Sequence, residues 1–90
     1  MEIVFIKPTR IEDCAKCLPE IKGNKILHIN LCAVEYDKAE RIMDYISGAI
    51  FMQEGQIVNP AENIYCTIPK GTQFSTLATT DEETEIILEK

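Results

Sequence analysis

The 90-residue chain carries 15 acidic against 9 basic residues, for a formal charge of -6, with 46% hydrophobic and 27% charged residues. This describes one domain, too apolar for a disordered chain, and small enough that folding buries only about 60% of the surface its unfolded form exposes. The acidic balance argues against nucleic acid as a partner, because Lys and Arg supply non-specific phosphate affinity, and no apolar run approaches the roughly 18 to 20 residues of a bilayer span.

Met1 to Lys7 read as a strand and not as a signal peptide, so the default compartment is the cytoplasm, where the 4 cysteines are expected to be reduced. In this strand Ile3, Val4, Phe5 and Ile6 form a continuous apolar run closed by Pro8. Thr9 is placed to cap a helix from about Arg10, with Glu12 at the capping-box position and Ile11, Cys14, Ala15 and Leu18 along its buried face. Pro19 is expected to kink or break this helix, and Gly23 with Asn24 to end it.

Lys25 to Leu31 gives a second strand, with Leu27, Ile29 and Leu31 on one face and Ile26, His28 and Asn30 on the other. A long helix follows from Tyr36 or Asp37 to about Met52. Its apolar stripe is Ala39, Ile42, Met43, Ile46, Ala49 and Ile50, at offsets of three and four. Lys38, Glu40, Arg41 and Asp44 take the other faces, and Asp37 to Arg41 is an expected i,i+4 ion pair.

Gly55 marks a turn into Gln56, Ile57 and Val58; Asn59 and Pro60 break this strand before Asn63 to Ile68 begins its antiparallel hairpin partner. The order is strand, helix, strand, helix, strand, strand. It predicts an α/β two-layer sandwich with both helices on one face of a mixed sheet. The opposite face is left bare, carrying either Tyr65 and Thr67 or Ile64, Cys66 and Ile68, with Ile26 or His28 beside them; such a face suits an interface. Residues 1–70 make the core domain. Residues 71–90 form an acidic tail with Asp81, Glu82, Glu83, Glu85 and Glu89, whose form is open between a short helix, an added strand and disorder, and without which the body is close to neutral.

The helix segment from Asp37 to Ala49, then Gly55-Gln56-Ile57, then Asn63 to Pro69 resemble, in order and spacing, the core domain of the SepF cell-division family. The resemblance covers Ile3 to Pro69. It implies a homodimeric two-layer domain that binds the C-terminal peptide of the tubulin-like FtsZ and helps anchor or align the division ring, without catalysis or cofactor. The Ala early in the family's long helix is matched by Ala39, the aromatic of its last strand by Tyr65, and the Gly before its third strand by Gly55. The expected partner-binding residues are thus Ala39, Met43 and Tyr65, with Gly48 and Gly55 as turn or dimer positions. Many members begin with a membrane-binding helix and linker, whereas this chain enters the core strand at Ile3, so membrane contact is expected only indirectly or through a segment absent from it.

Two other functional classes stay open. A homo-oligomeric module without FtsZ needs only the bare face; Tyr45 and Met52, on the outer flank of the long helix beside Arg41 and Gly48, are either a contact for a second subunit or, as is more usual for such positions, solvated residues. A thiol or zinc protein would use the C-x-x-C of Cys14 and Cys17 with Cys32, Cys66 and His28. Against it, Glu12 and Asp13 disfavour a thiolate, and structural zinc normally shows two closely spaced ligand pairs where this chain has one. The chain has no Gly-rich phosphate loop and no Ser, His, Asp arrangement at recognisable spacing.

Overall fold

Residues 1–77 are described by the computed structural model, so the acidic run at Asp81, Glu82, Glu83, Glu85 and Glu89 lies outside the described residues. Strands β1 (Ile3–Ile6), β2 (Ile26–Asn30), β3 (Gln56–Ala61) and β4 (Ile64–Ile68) lie in the order β1-β2-β4-β3. β1 runs parallel to β2, and β4 is antiparallel to both β2 and β3. Helices α1 (Leu18–Lys22) and α2 (Tyr36–Met52) complete the expected two-layer α/β sandwich.

The core lies between the helical layer and one face of the sheet. Leu27 and Ile29 are fully buried, and they cluster with Ile42, Ile46 and Ile50 of α2 and Ile21 of α1. Each such side chain contributes about 1.5–3 kcal/mol by leaving water. Met43 and Ala49 pack at the edges of the same stripe, so the helical periodicity located this face correctly. Thr67, directly opposite Leu27, is also buried; its Oγ1 accepts the Leu27 amide at 3.0 Å, which satisfies both polar groups inside an apolar layer.

The first helical region departs from its expected form. Ile11–Lys16 is a 3₁₀ segment, and only Leu18–Lys22 is α-helical. With three residues per turn the segment directs Cys14 and then Cys17 inward, followed by Ile21 of α1, while Ile11 and Leu18 stay 40% and 36% exposed and Ala15 is exposed too. The expected stripe assumed an α period and was wrong outside Cys14. The cap also shifts by one residue: Asp13, not Glu12, reaches back, its Oδ2 accepting the Thr9 amide at 2.9 Å and the Arg10 amide at 3.3 Å. The Thr9 amide bond leads the causes that hold the Asp13 carboxyl below the usual range. Pro19 opens α1 from its first turn, where a missing N–H costs nothing, so the break falls just before it.

Two further expectations change. β3 continues through Asn59 and Pro60 to Ala61, with an irregular register between Val58 and Ala61. An edge strand tolerates Pro, and Asn59 Nδ2 ties the irregularity together by donating to the carbonyls of Ala61 at 2.7 Å and Ile64 at 2.6 Å. Asp37 and Arg41 form no ion pair among the described residues; the first turn of α2 instead joins Tyr36 Oη to Glu40 Oε2 at 3.1 Å.

After α2, the left-handed residue is Glu54, at φ 60, and Gly55 is required for a different reason. A Cβ at Gly55 would sit 2.8 Å from the Ile68 carbonyl oxygen and 3.2 Å from Ile50 Cγ2, whereas a Cβ at Gly48, on the exposed surface of α2, would meet open space. The same substitution should therefore act with opposite signs. We expect Gly55→Ala to destabilise by about 1–3 kcal/mol through overpacking. Gly48→Ala should stabilise by about 0.5–1 kcal/mol through helix propensity, both read from urea unfolding midpoints.

Candidate functional site

α2 presents two adjacent rows of side chains at its N-terminal half. Ala39 and Met43 are four residues apart on the buried side, and Tyr36, Glu40 and Asp44 form the next row outward at the same spacing. Across from them stands β4. Tyr65 is opposite Ile29 in the ladder, which turns its ring toward the helix layer, where it packs on the core.

Between the two elements lies a cleft of about 180 Å³ whose floor is Leu31, Ala39, Met43 and Tyr65. Its wall is Tyr36, Glu40 and Asp44, with Asn63 closing the end. The cleft exists where the α2 stripe places Ala39 at a position that Ile42, Ile46 and Ile50 fill farther along. Asn63, at φ 63 in the β3–β4 turn, is held there as its carbonyl accepts the Leu31 amide at 2.8 Å. The three expected partner-binding residues, Ala39, Met43 and Tyr65, thus meet in one place.

Sequence reasoning missed the polar wall. Glu40 and Asp44 looked like solvated helix positions, and the signal that finds them is the Tyr36, Glu40, Asp44 row running beside Ala39 and Met43. Glu40 raises the Tyr36 phenol above its ordinary value, first through their hydrogen bond.

The sheet's other face is bare among the described residues. By register it carries Ile3 and Phe5 of β1, Ile26 and His28 of β2, and Ile64 and Cys66 of β4. Phe5 is 73% and Ile3 52% exposed, and the Phe5 ring lies 5.0 Å from the His28 ring. Tyr65 and Thr67 face the helices, and Ile64, Cys66 and Ile68 the opposite side, although Ile68 itself is buried. Gly48 lies on the exposed side of α2; nearby Met52 lines a separate hollow of about 250 Å³ with Leu18, Ile21 and Ala49, between α1 and the end of α2.

The family model described as "Cell division protein SepF" matches residues 3–73. The chain belongs to the SepF family. It is 29% identical over 75 residues to the SepF protein of Alkaliphilus oremlandii, covering 83% of this chain and 51% of that protein. To the SepF protein of Finegoldia magna it is 30% identical over 74 residues, covering 82% and 46%. The chain therefore spans about half the length of the SepF relatives it matches. Among solved structures, a SepF-like protein from Archaeoglobus fulgidus superposes with a TM-score of 0.77 over 89% of this chain and 99% of that one, at 16% identity, a likeness of fold.

The cysteines do not converge. Cys14 and Cys17 are buried on the helix side of the sheet, Cys66 is half-buried on the other face beside His28, and Cys32 is exposed. No three His, Cys, Asp or Glu side chains gather at a metal-binding distance among the described residues. Burial pushes the Cys14 and Cys66 thiols up, and lifts Cys17 from the ordinary 9.0 to about 11, with Cys14, Asp13 and Glu20 adding to the rise. Above pH 9 an unfolded chain loses the Cys17 proton that the native state retains, so stability falls as pH rises. We expect the urea midpoint to decline between pH 9 and about 11, and Cys17→Ala to decline less over that window, which separates the thiol from Lys25, whose own ammonium is held charged by Glu20 and Glu2.

Proposed function

We propose that this chain is a non-enzymatic cell-division adaptor: a homodimer that binds the C-terminal peptide of FtsZ in the cleft between α2 and β4, and so helps anchor or align the division ring. The observation that carries the reading is the meeting of Ala39, Met43 and Tyr65 around one partly apolar cleft. SepF membership supplies the cell-division context. Residues 1–70 act as the adaptor core, in the cytoplasm or at the division site, with any membrane contact made through another protein or a segment outside this chain.

A short extended peptide fits such a cleft by inserting a few apolar side chains over Ala39 and Met43 and stacking against Tyr65, an aromatic that buries a large area and keeps a polar tip. Ordering the peptide costs about 2–5 kcal/mol, so each cleft binds modestly. Dimerisation through the bare sheet face is supported by the exposed Ile3 and Phe5 beside Ile26 and His28. That face and the cleft lie on opposite sides of the sheet, leaving a dimer with two open clefts.

Two measurements test these parts separately. Fluorescence anisotropy with a labelled FtsZ C-terminal peptide, against a scrambled control, should give saturable binding to the native peptide. Tyr65→Ser should weaken it by about 30-fold or more, in line with the roughly 2 kcal/mol or greater loss at an aromatic hot spot. Unchanged binding by a folded Tyr65→Ser variant would remove the cleft as the site. Sedimentation equilibrium should give a dimer for the parent chain and a folded monomer for Phe5→Glu; a dimer in both would move the interface off the sheet.

A further inference from the structure

Charge is distributed unevenly around α2. Lys38 and Arg41 line a hollow with Arg10, Ile11 and a single acidic residue, Glu12, on one flank of the helix, while Glu40 and Asp44 line the cleft on the other. No Lys or Arg is among the residues that line the cleft, and neither Glu40 nor Asp44 takes part in an ion pair among the described residues. Glu40 Oε2 accepts Tyr36 Oη, which fixes that carboxylate along the wall and leaves its second oxygen for another donor.

From this segregation we propose that the cleft selects a basic peptide, one in which an Arg or Lys follows or precedes the apolar side chains that enter the floor. This inference rests on the peptide-binding reading of the same cleft and specifies the chemistry of its ligand. An apolar segment seated over Ala39 and Met43 runs alongside the row formed by Tyr36, Glu40 and Asp44. Its cationic neighbour then lies against two carboxylates one helical turn apart. A guanidinium there donates to both without displacing the Tyr36 bond, and charge-assisted bonds of this kind are among the stronger polar contacts. An acidic peptide meets the same two carboxylates as a repulsive wall, so the wall works against wrong ligands as well as for the right one. The bare sheet face offers no such discrimination, since by register its exposed side chains on β1 and β2 are mainly apolar.

The test uses the full 90-residue chain and two labelled synthetic peptides that share a central Leu-Ile-Phe, one flanked by arginines and one by glutamates. At ~50 mM salt the arginine peptide should bind at least ~10-fold tighter than the glutamate peptide, and the ratio should shrink several-fold at ~300 mM, where the Debye length is shorter. Glu40→Gln with Asp44→Asn should bring the two affinities together, and Glu40→Lys with Asp44→Lys should reverse their order. Both pairs change exposed side chains, so circular dichroism should report an unchanged fold. Equal binding of the two peptides, or a preference untouched by these substitutions while Tyr65→Ser abolishes binding, overturns the basic preference and leaves the cleft standing. Failure of either peptide to bind at all, with the FtsZ peptide also silent, overturns the cleft reading and the preference together.

Discussion

One buried cluster holds this small domain together, joining Ile42, Ile46 and Ile50 of α2 and Cys14, Cys17 and Ile21 of the first helical region to Leu27 and Ile29 of β2. With one helix layer on four strands, the other face of the sheet is uncovered among the described residues. The same constraint fixes where the helix layer ends and where it thins. At the N-terminal end of the stripe Ala39 takes the place that isoleucine occupies farther along, and the space between helix and sheet opens into the cleft that Tyr65 borders.

What the sequence made legible follows the strength of its periodic signals. The α2 stripe repeats over four turns, and it located the buried helix face, where Ala39, Ile42, Ile46 and Ile50 are buried. β alternation left Tyr65 with two choices of face; the pairing of Ile29 with Tyr65 in the ladder decides it, a long-range fact that local alternation does not contain. The family resemblance named Tyr65, and geometry then supplied the neighbours. Glu40 and Asp44 were hidden because charged helix positions are ordinarily solvated, and only the position of β4 gives those two a cleft to border.

The errors share a physical origin too. In the stretch from Thr9 to Gly23 short-range chemistry outweighs propensity: Asp13 takes two amides at the entry, three-residue winding carries Cys14 and Cys17 inward, and Pro19 starts the α-helix it was expected to interrupt. Reading the stretch at the α period averages over these and returns an α-helix from about Arg10, interrupted only at Pro19. Asn59 and Pro60 misled for a similar reason, since Pro is a strand breaker in a central strand and tolerable at an edge, and edge status depends on the order of all four strands.

The two open surfaces answer different demands. The bare sheet face is broad and apolar, and on a chain of this size an equivalent face on a second copy is the most economical cover, because an isologous contact buries the same side chains twice. The cleft is small and only partly apolar, and its wall is ionic, so under the proposed peptide-binding reading it would hold a flexible segment weakly but selectively. On the proposed reading, weak clefts on a dimer would become strong on a polymer that displays many copies of one segment, through effective concentration and not through new contacts. The bond from the Leu31 amide to the Asn63 carbonyl, which sets the end of the cleft, is also a bond between β2 and the β3–β4 turn, so the site keeps its shape only as long as the sheet does.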